Sequence, residues 1–233
     1  MKISWLHHQS AVLSASCFLP HALTFELCDA IAVARNTMLP SQAPIDGKSV
    51  LRDYPNLFGG TLEEFHETLI PADLLDFDRF VELFLAAVKA SAPSPAFADV
   101  IGGLASLRAR YPFLKMGVAT TKPTVAAEKD LSSSAVPATL RSMFGFVQGT
   151  DKEKNMQAKP APDVILAAAA GLKCADMSKT IYVGDTRRDA EAAKAAGCAL
   201  SVLIHRGDDA NKEKLGADEL IHSFHEIPNA VNK

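Results

Sequence analysis

The chain has 233 residues, long enough for one large domain or for a core with a modest second module. Hydrophobic residues make up 48% and charged residues 22%, a globular balance that excludes wholesale disorder. A formal net charge of -3 gives no general attraction to nucleic acid or anionic lipid, so neither is expected as a partner.

The four cysteines, Cys17, Cys28, Cys174 and Cys198, form no CxxC pair. They read as buried free thiols of a reducing compartment rather than as disulfides or a zinc site, and the expected location is cytoplasmic. No apolar run reaches membrane-spanning length. The N-terminus carries Lys2 and the apolar stretch "AVLSASCFL", but His7, His8 and Gln9 interrupt it, which argues against a secretory signal.

From about residue 22 to 92 the signals are helical, with no convincing strand. Leu27, Ile31, Ala34 and Met38 recur on one helical face. Thr61-Leu62-Glu63-Glu64 has the T-x-x-E form of a capping box, with Pro71 beyond the helix it opens. Phe77, Phe80, Phe84 and Val88 fall at helical spacing and read as core rather than as a ligand box. "SAPSPAF" then reads as a hinge.

From about residue 97 helical and strand periods alternate. "AFADVIGGLASLRAR" sets Val100, Leu104 and Leu107 on one helical face, and "KMGVAT" is a strand ending at Thr120. "TVAAEKDL" and "VPATLRSMF" read as helices and "GFVQG" as a strand. "APDVILAAAAGL" has Pro162 for the first turn of a helix and Gly171 for its end. A strand at 180–183, a helix closed by Gly197, the strand "ALSVLI" and a last small strand and helix complete the chain. Such alternation predicts an α/β fold with a parallel sheet covered by helices on both faces.

Open parallel sheets bind ligands beyond the carboxyl ends of their strands. Four side chains fall there or in adjoining loops: Thr120, Lys159 in "AKPAPD", and Asp185 and Asp189 in "GDTRRD". A hydroxyl and an ammonium hold phosphate oxygens, and hard carboxylate oxygens hold a magnesium ion. Taken singly, each has a bland role: a strand end, a surface lysine, an acid in a first helical turn.

In order and local sequence these segments resemble the haloacid dehalogenase-like superfamily, in its phosphoglycolate phosphatase-like branch. "GVATTKP" is similar to the second motif, with Thr120 in the phosphate-binding place. "KPAPDVILAAAAGL" is similar to the third, with Lys159 as the charge-neutralising lysine. "YVGDTRRDAEAAKAAG" is similar to the fourth, with Asp185 and Asp189 as metal-site acids. The resemblance covers residues 97 to 222. It implies a Rossmann-like core at 1–20 and 96–233 and an all-helical cap at 21–95. It also implies a Mg2+ cofactor and a small phosphorylated metabolite as substrate.

The family's first motif, D-x-D-G-T after the first strand, supplies a nucleophilic aspartate and an acid/base aspartate. Counting back from the first cap helix puts it on "VLSASCFLPH". There Ser14 stands at the nucleophile position and Ser16 at the acid/base position, while Cys17 and Phe18 replace the glycine and threonine. No other D-x-D-G-T occurs in the chain, and Asp46-Gly47 in "PIDGKS" follows no strand. No histidine or other base is placed beside Ser14 by the motifs. The expectation is a phosphatase scaffold with little or no turnover and weak Mg2+ binding. The alternative is a regulatory protein that binds phosphate or a partner without catalysis. An altered start to the chain would also explain the loss, since "SAVLS" is a weak apolar run for a parallel strand. An enzyme using Ser14 itself ranks last.

Overall fold

A computed structural model describes residues 10–15, 21–54, 57, 60–90, 96–134, 136–174, 176–206 and 215–231. Side chains of residues 21–27 and 152 lie outside that description. The chain divides into two compact units, Pro20–Ser94 and the remainder.

The larger unit is built on a six-stranded sheet of order β3-β2-β1-β4-β5-β6, every pairing parallel. Its strands are β1 (Ser10–Ser14), β2 (Lys115–Ala119), β3 (Phe146–Gln148), β4 (Thr180–Gly184), β5 (Leu200–Ile204) and β6 (Glu219–Ile221). Alternate residues of a strand face opposite sides of the sheet, and in β1 and β4 both sets are buried. Helices α8 (Asp163–Gly171) and α9 (Arg187–Ala195) pack a shared cluster of Val164, Ala168, Ala192 and Ala193 onto Val12 and Tyr182. Helix α5 (Ala98–Arg110) buries Val100, Leu104 and Leu107, the face its spacing predicts. This is the Rossmann-like α/β fold expected from the alternation.

β1 is central despite its weak apolar run. Its two serines are tied at the strand ends: Ser10 Oγ lies 2.9 Å from Thr180 Oγ1, and Ser14 Oγ accepts from Lys159. Each buried hydroxyl thereby has a partner, which removes the penalty that makes serine poor in a core strand.

In the unit Pro20–Ser94 the described elements are helical: α1 (His21–Met38), α2 (Gly47–Asp53), α3 (Leu62–Leu69) and α4 (Phe77–Ala90), with a 3-10 turn at Ala72–Leu74. The capping box forms, Thr61 Oγ1 accepting from Glu64 N and Glu64 reaching back to Thr61 N. Asp46 N-caps α2, a structural use of the one Asp-Gly pair in the region. Phe80 and Phe84 are buried as predicted, whereas Val88 is 36% exposed. The predicted helix "VPATLRSMF" shrinks to a single turn, α7 (Ala138–Arg141), and Arg141 folds back to donate to the carbonyl of Phe144.

Candidate functional site

The register fixes what meets at the carboxyl edge of the sheet. Ser14 pairs with Ala119, so Thr120 lies one residue beyond it on β2. Leu13 pairs with Val183, so Gly184 and Asp185 continue β4 on the other side of Ser14. Lys159 enters from the loop before α8, and its ammonium is 3.1 Å from Ser14 Oγ. Ser14, Thr120, Lys159 and the Asp185–Asp189 turn are therefore set on one edge by β1 and its two neighbours. Ser16, the expected acid/base position, lies outside the described residues, as do Cys17 and Phe18.

At the centre is a buried pair. Lys159 Nζ lies 2.5 Å from Asp189 Oδ1, with the side chains 4% and 1% exposed. The ammonium has three protons, and three acceptors face it: Asp189 Oδ1, Ser14 Oγ and the Tyr182 hydroxyl at 3.3 Å. Tyr182 in turn donates to Asp189 Oδ1 at 2.8 Å. The other carboxylate oxygen, Oδ2, accepts from the backbone N–H groups of Asp185 and Thr186 and from the Thr186 hydroxyl. Burial by itself would push the Asp189 carboxyl up. The Lys159 ammonium, with hydrogen bonds from Lys159, Thr186 and Tyr182, instead holds it well below the usual carboxylate range.

Asp189 has a second task. It is the N3 residue of a capping box in which Thr186 Oγ1 accepts from Asp189 N. The fit is close: a Cβ on Gly184 would come within 2.2 Å of Asp189 Cβ, so only glycine lets β4 end against this side chain.

These contacts bear on the expected metal site. Five hydrogen bonds from protein groups converge on the two oxygens of Asp189, which saturates a carboxylate's four or so lone-pair directions. Among the described residues no group of three or more His, Cys, Asp or Glu side chains could hold a metal ion. The donor set present thus fits magnesium poorly. Asp185, next after β4, is half-buried.

Thr120 is buried; its N–H donates to the carbonyl of Gln148, and its hydroxyl accepts from Lys122 N at 3.3 Å. A hydroxyl folded under the N–H of the next turn is positioned beside β1 by the backbone rather than by side-chain contacts.

The spacing of motifs does not reveal Tyr182 and Thr186. Both leave a trace: a phenol inside an otherwise apolar parallel strand needs a partner, and T-x-x-D at 186–189 is a helix-start signature. Lys159 reaches Ser14 as a hydrogen-bond donor while also donating to Asp189.

Residues 44–203 match the sequence model of the family described as haloacid dehalogenase-like hydrolase, a match that begins after β1. Curated relatives include a phosphoglycolate phosphatase of Caulobacter vibrioides, 34% identical over 65% of this chain and 60% of that protein. Another, from Salmonella choleraesuis, is 34% identical over 57% of this chain and 48% of that protein. The chain therefore spans about half to three-fifths of the length of the curated relatives it matches. Among solved structures, a haloacid dehalogenase-like hydrolase from Streptococcus pneumoniae superposes with a TM-score of 0.73 at 20% identity, over 96% of this chain and 98% of that one. A predicted phosphoglycolate phosphatase from Haemophilus somnus gives 0.71 at 18% identity, over 97% and 98%. The order β3-β2-β1-β4-β5-β6, the lysine–aspartate pair under its carboxyl edge and the span of the family match lead to one assignment: the chain belongs to the haloacid dehalogenase-like hydrolases.

Proposed function

We propose that this chain is a phosphatase scaffold for a small phosphomonoester, related to the phosphoglycolate phosphatases, in which the chemical step is largely lost. The observation that carries the proposal is the group at the end of β1: a hydroxyl, Ser14, held by Lys159 where the family resemblance calls for a carboxylate. Phosphoryl transfer needs a nucleophile in line with phosphorus and a group to protonate the leaving oxygen. For Ser14 to attack, a base must take its proton. Lys159 donates to Ser14 instead of accepting, and the oxygens of Asp189 are filled by five donors.

The remaining roles follow the resemblance. Thr120 would meet phosphate oxygens at the end of β2, Lys159 would neutralise charge, and Asp185 would supply the one carboxylate for Mg2+, the usual cation of the family's phosphatases. Asp189 would act behind them, holding Lys159. Mg2+ binding is then weak, because the carboxylate expected at the end of β1 is missing as a ligand. Residues 21–95 would serve as the cap that selects the substrate.

A second reading, phosphate binding without turnover, draws on the same serine. A carboxylate about 4 Å from a phosphate oxygen costs roughly 4 kcal/mol per pair of charges at an effective dielectric of 20. A neutral hydroxyl at that point removes the repulsion, so the exchange that impairs attack also favours retention of the anion.

The test is turnover of 4-nitrophenyl phosphate and 2-phosphoglycolate by the unmodified chain with Mg2+. The expected result is hydrolysis at background. Robust Mg2+-dependent hydrolysis that persists in Ser14→Ala would show that the catalytic centre lies elsewhere.

A further inference from the structure

Away from the site, α8 and α9 are near copies of one another. Each has nine residues, and both run back from the carboxyl to the amino edge of the sheet against the same apolar cluster. Their ends repeat bond for bond. Leu172 N and Ala196 N donate to Ala168 O and Ala192 O, and Lys173 N and Gly197 N donate to Ala170 O and Lys194 O. Cys174 N and Cys198 N donate to Ala169 O and Ala193 O, at 2.9 and 3.0 Å. Lys173 and Gly197 both take the left-handed conformation, with φ of 57° and 74°. These are two Schellman-type caps, and each puts a cysteine at the position that turns back onto its helix.

Both cysteines converge on the start of β4. Cys174 Sγ lies 3.4 Å from Thr180 Oγ1, and Ala199, next to Cys198, donates its N–H to the carbonyl of Thr180 at 2.9 Å. Both thiols pack against one cluster and both are only partly buried, which leaves them open to small oxidants. We infer that Cys174 and Cys198 form a dithiol that closes to an intramolecular disulfide under oxidation, clipping α8 to α9 beneath the sheet.

With hydrogen peroxide as oxidant, the Cys174 thiolate attacks one peroxide oxygen, the O–O bond breaks, and a sulfenic acid and one water result. Cys198 sulfur then attacks the Cys174 sulfur and a second water leaves. The two thiols lose two electrons and two protons in all, and the peroxide is reduced to two waters. Burial, followed by the charge of Cys174, pushes the Cys198 thiol up to about 12, which makes Cys198 the slower, resolving partner. The ring encloses β4, Asp185 and Asp189, so the clip fixes the segment that carries the acids of the site without touching it.

The experiment treats the 233-residue chain with hydrogen peroxide, blocks remaining thiols with iodoacetamide and digests it with trypsin without reduction. Cleavage after Lys173, Lys179, Lys194 and Arg206 isolates Cys174 in residues 174–179 and Cys198 in residues 195–206. The expected product joins these two peptides at a mass about 2 Da below their sum as free thiols. It disappears with dithiothreitol and in Cys174→Ser. A ring of about 25 residues should also raise the melting midpoint of the oxidised chain by roughly 5 °C or more. Recovery of both peptides unjoined, with Cys174 and Cys198 oxidised or alkylated separately, would overturn the inference. So would linkage of either one to Cys17 or Cys28.

Discussion

Replacing Lys159 by alanine tests the centre of the site through stability, with no reliance on turnover. The change leaves the Asp189 carboxylate 1% exposed and without its counter-charge. Stripping one partner from a buried pair costs about 3–5 kcal/mol. Four donors remain on Asp189 (the Tyr182 and Thr186 hydroxyls and two backbone N–H groups), which puts the expected cost near the lower end, about 3 kcal/mol. For a chain of this size that corresponds to a fall of about 6–12 °C in melting midpoint at pH 7. The pH dependence adds a sign. In the parent chain the Asp189 carboxyl is depressed to about 2, so its contribution is present above the unfolded value near 4 and is lost as pH falls toward 2. In Lys159→Ala, burial dominates and the folded pKa rises above the unfolded one, so acidification favours the variant. The gap between the two proteins should therefore be widest near pH 7 and should shrink by pH 4. Melting curves followed by circular dichroism from pH 7 to pH 4 measure both. A loss under 2 °C, or a gap that does not change with pH, would refute the account of the pair.

Replacing residues 14–18 with D-x-D-G-T should yield Mg2+-dependent phosphatase activity and should outperform Ser14→Asp with Ser16→Asp alone, since Cys17 and Phe18 occupy the glycine and threonine places; Lys159→Ala in that background should abolish the gain, as a steady-state assay would report. In the unmodified chain Mg2+ binding by calorimetry should be weak and lost in Asp185→Ala, while Asp189→Asn should retain it; the reverse pattern would make Asp189 the ligand. Gly184→Ala drives a methyl to 2.2 Å from Asp189 Cβ, so it should destabilise by about 3 kcal/mol or more, measured by urea unfolding.

Much of the secondary structure could be read from local sequence, because its signals are local. The bounds of α6 (Thr124–Leu131) and α8 follow from Pro123, Pro162 and Gly171, and the Thr61–Glu64 cap is written in four residues. The positions of Thr120, Lys159 and Asp185 follow from the same cause, since strand ends and their loops fix them. What Asp189 does is not local. Its main partner is 30 positions away and the Tyr182 phenol seven, and no spacing rule joins the three. The strength of β1 was equally hidden, because the partners of Ser10 and Ser14 lie 170 and 145 positions downstream. A short serine-flanked run looks weak until those hydroxyls find acceptors and donors. The shortened α7 turns on Arg141 reaching the Phe144 carbonyl and Glu128, contacts that helical period does not encode.

The middle place of β1 also sets a timetable for biosynthesis. β1 leaves the ribosome before both of its neighbours: Lys115 of β2 comes 105 positions after Ser10 and Thr180 of β4 comes 170 positions after it. At about 5–20 residues per second, roughly 10–30 s pass before both flanks exist. Through that interval the apolar stretch Ala11–Leu13 has no neighbouring strand to hydrogen-bond to, while the intervening helical unit has its own core to condense around. Newly made chains thus expose Ala11–Leu13 before the strands that flank it exist, and lower growth temperature or added chaperones should act on yield at that stage.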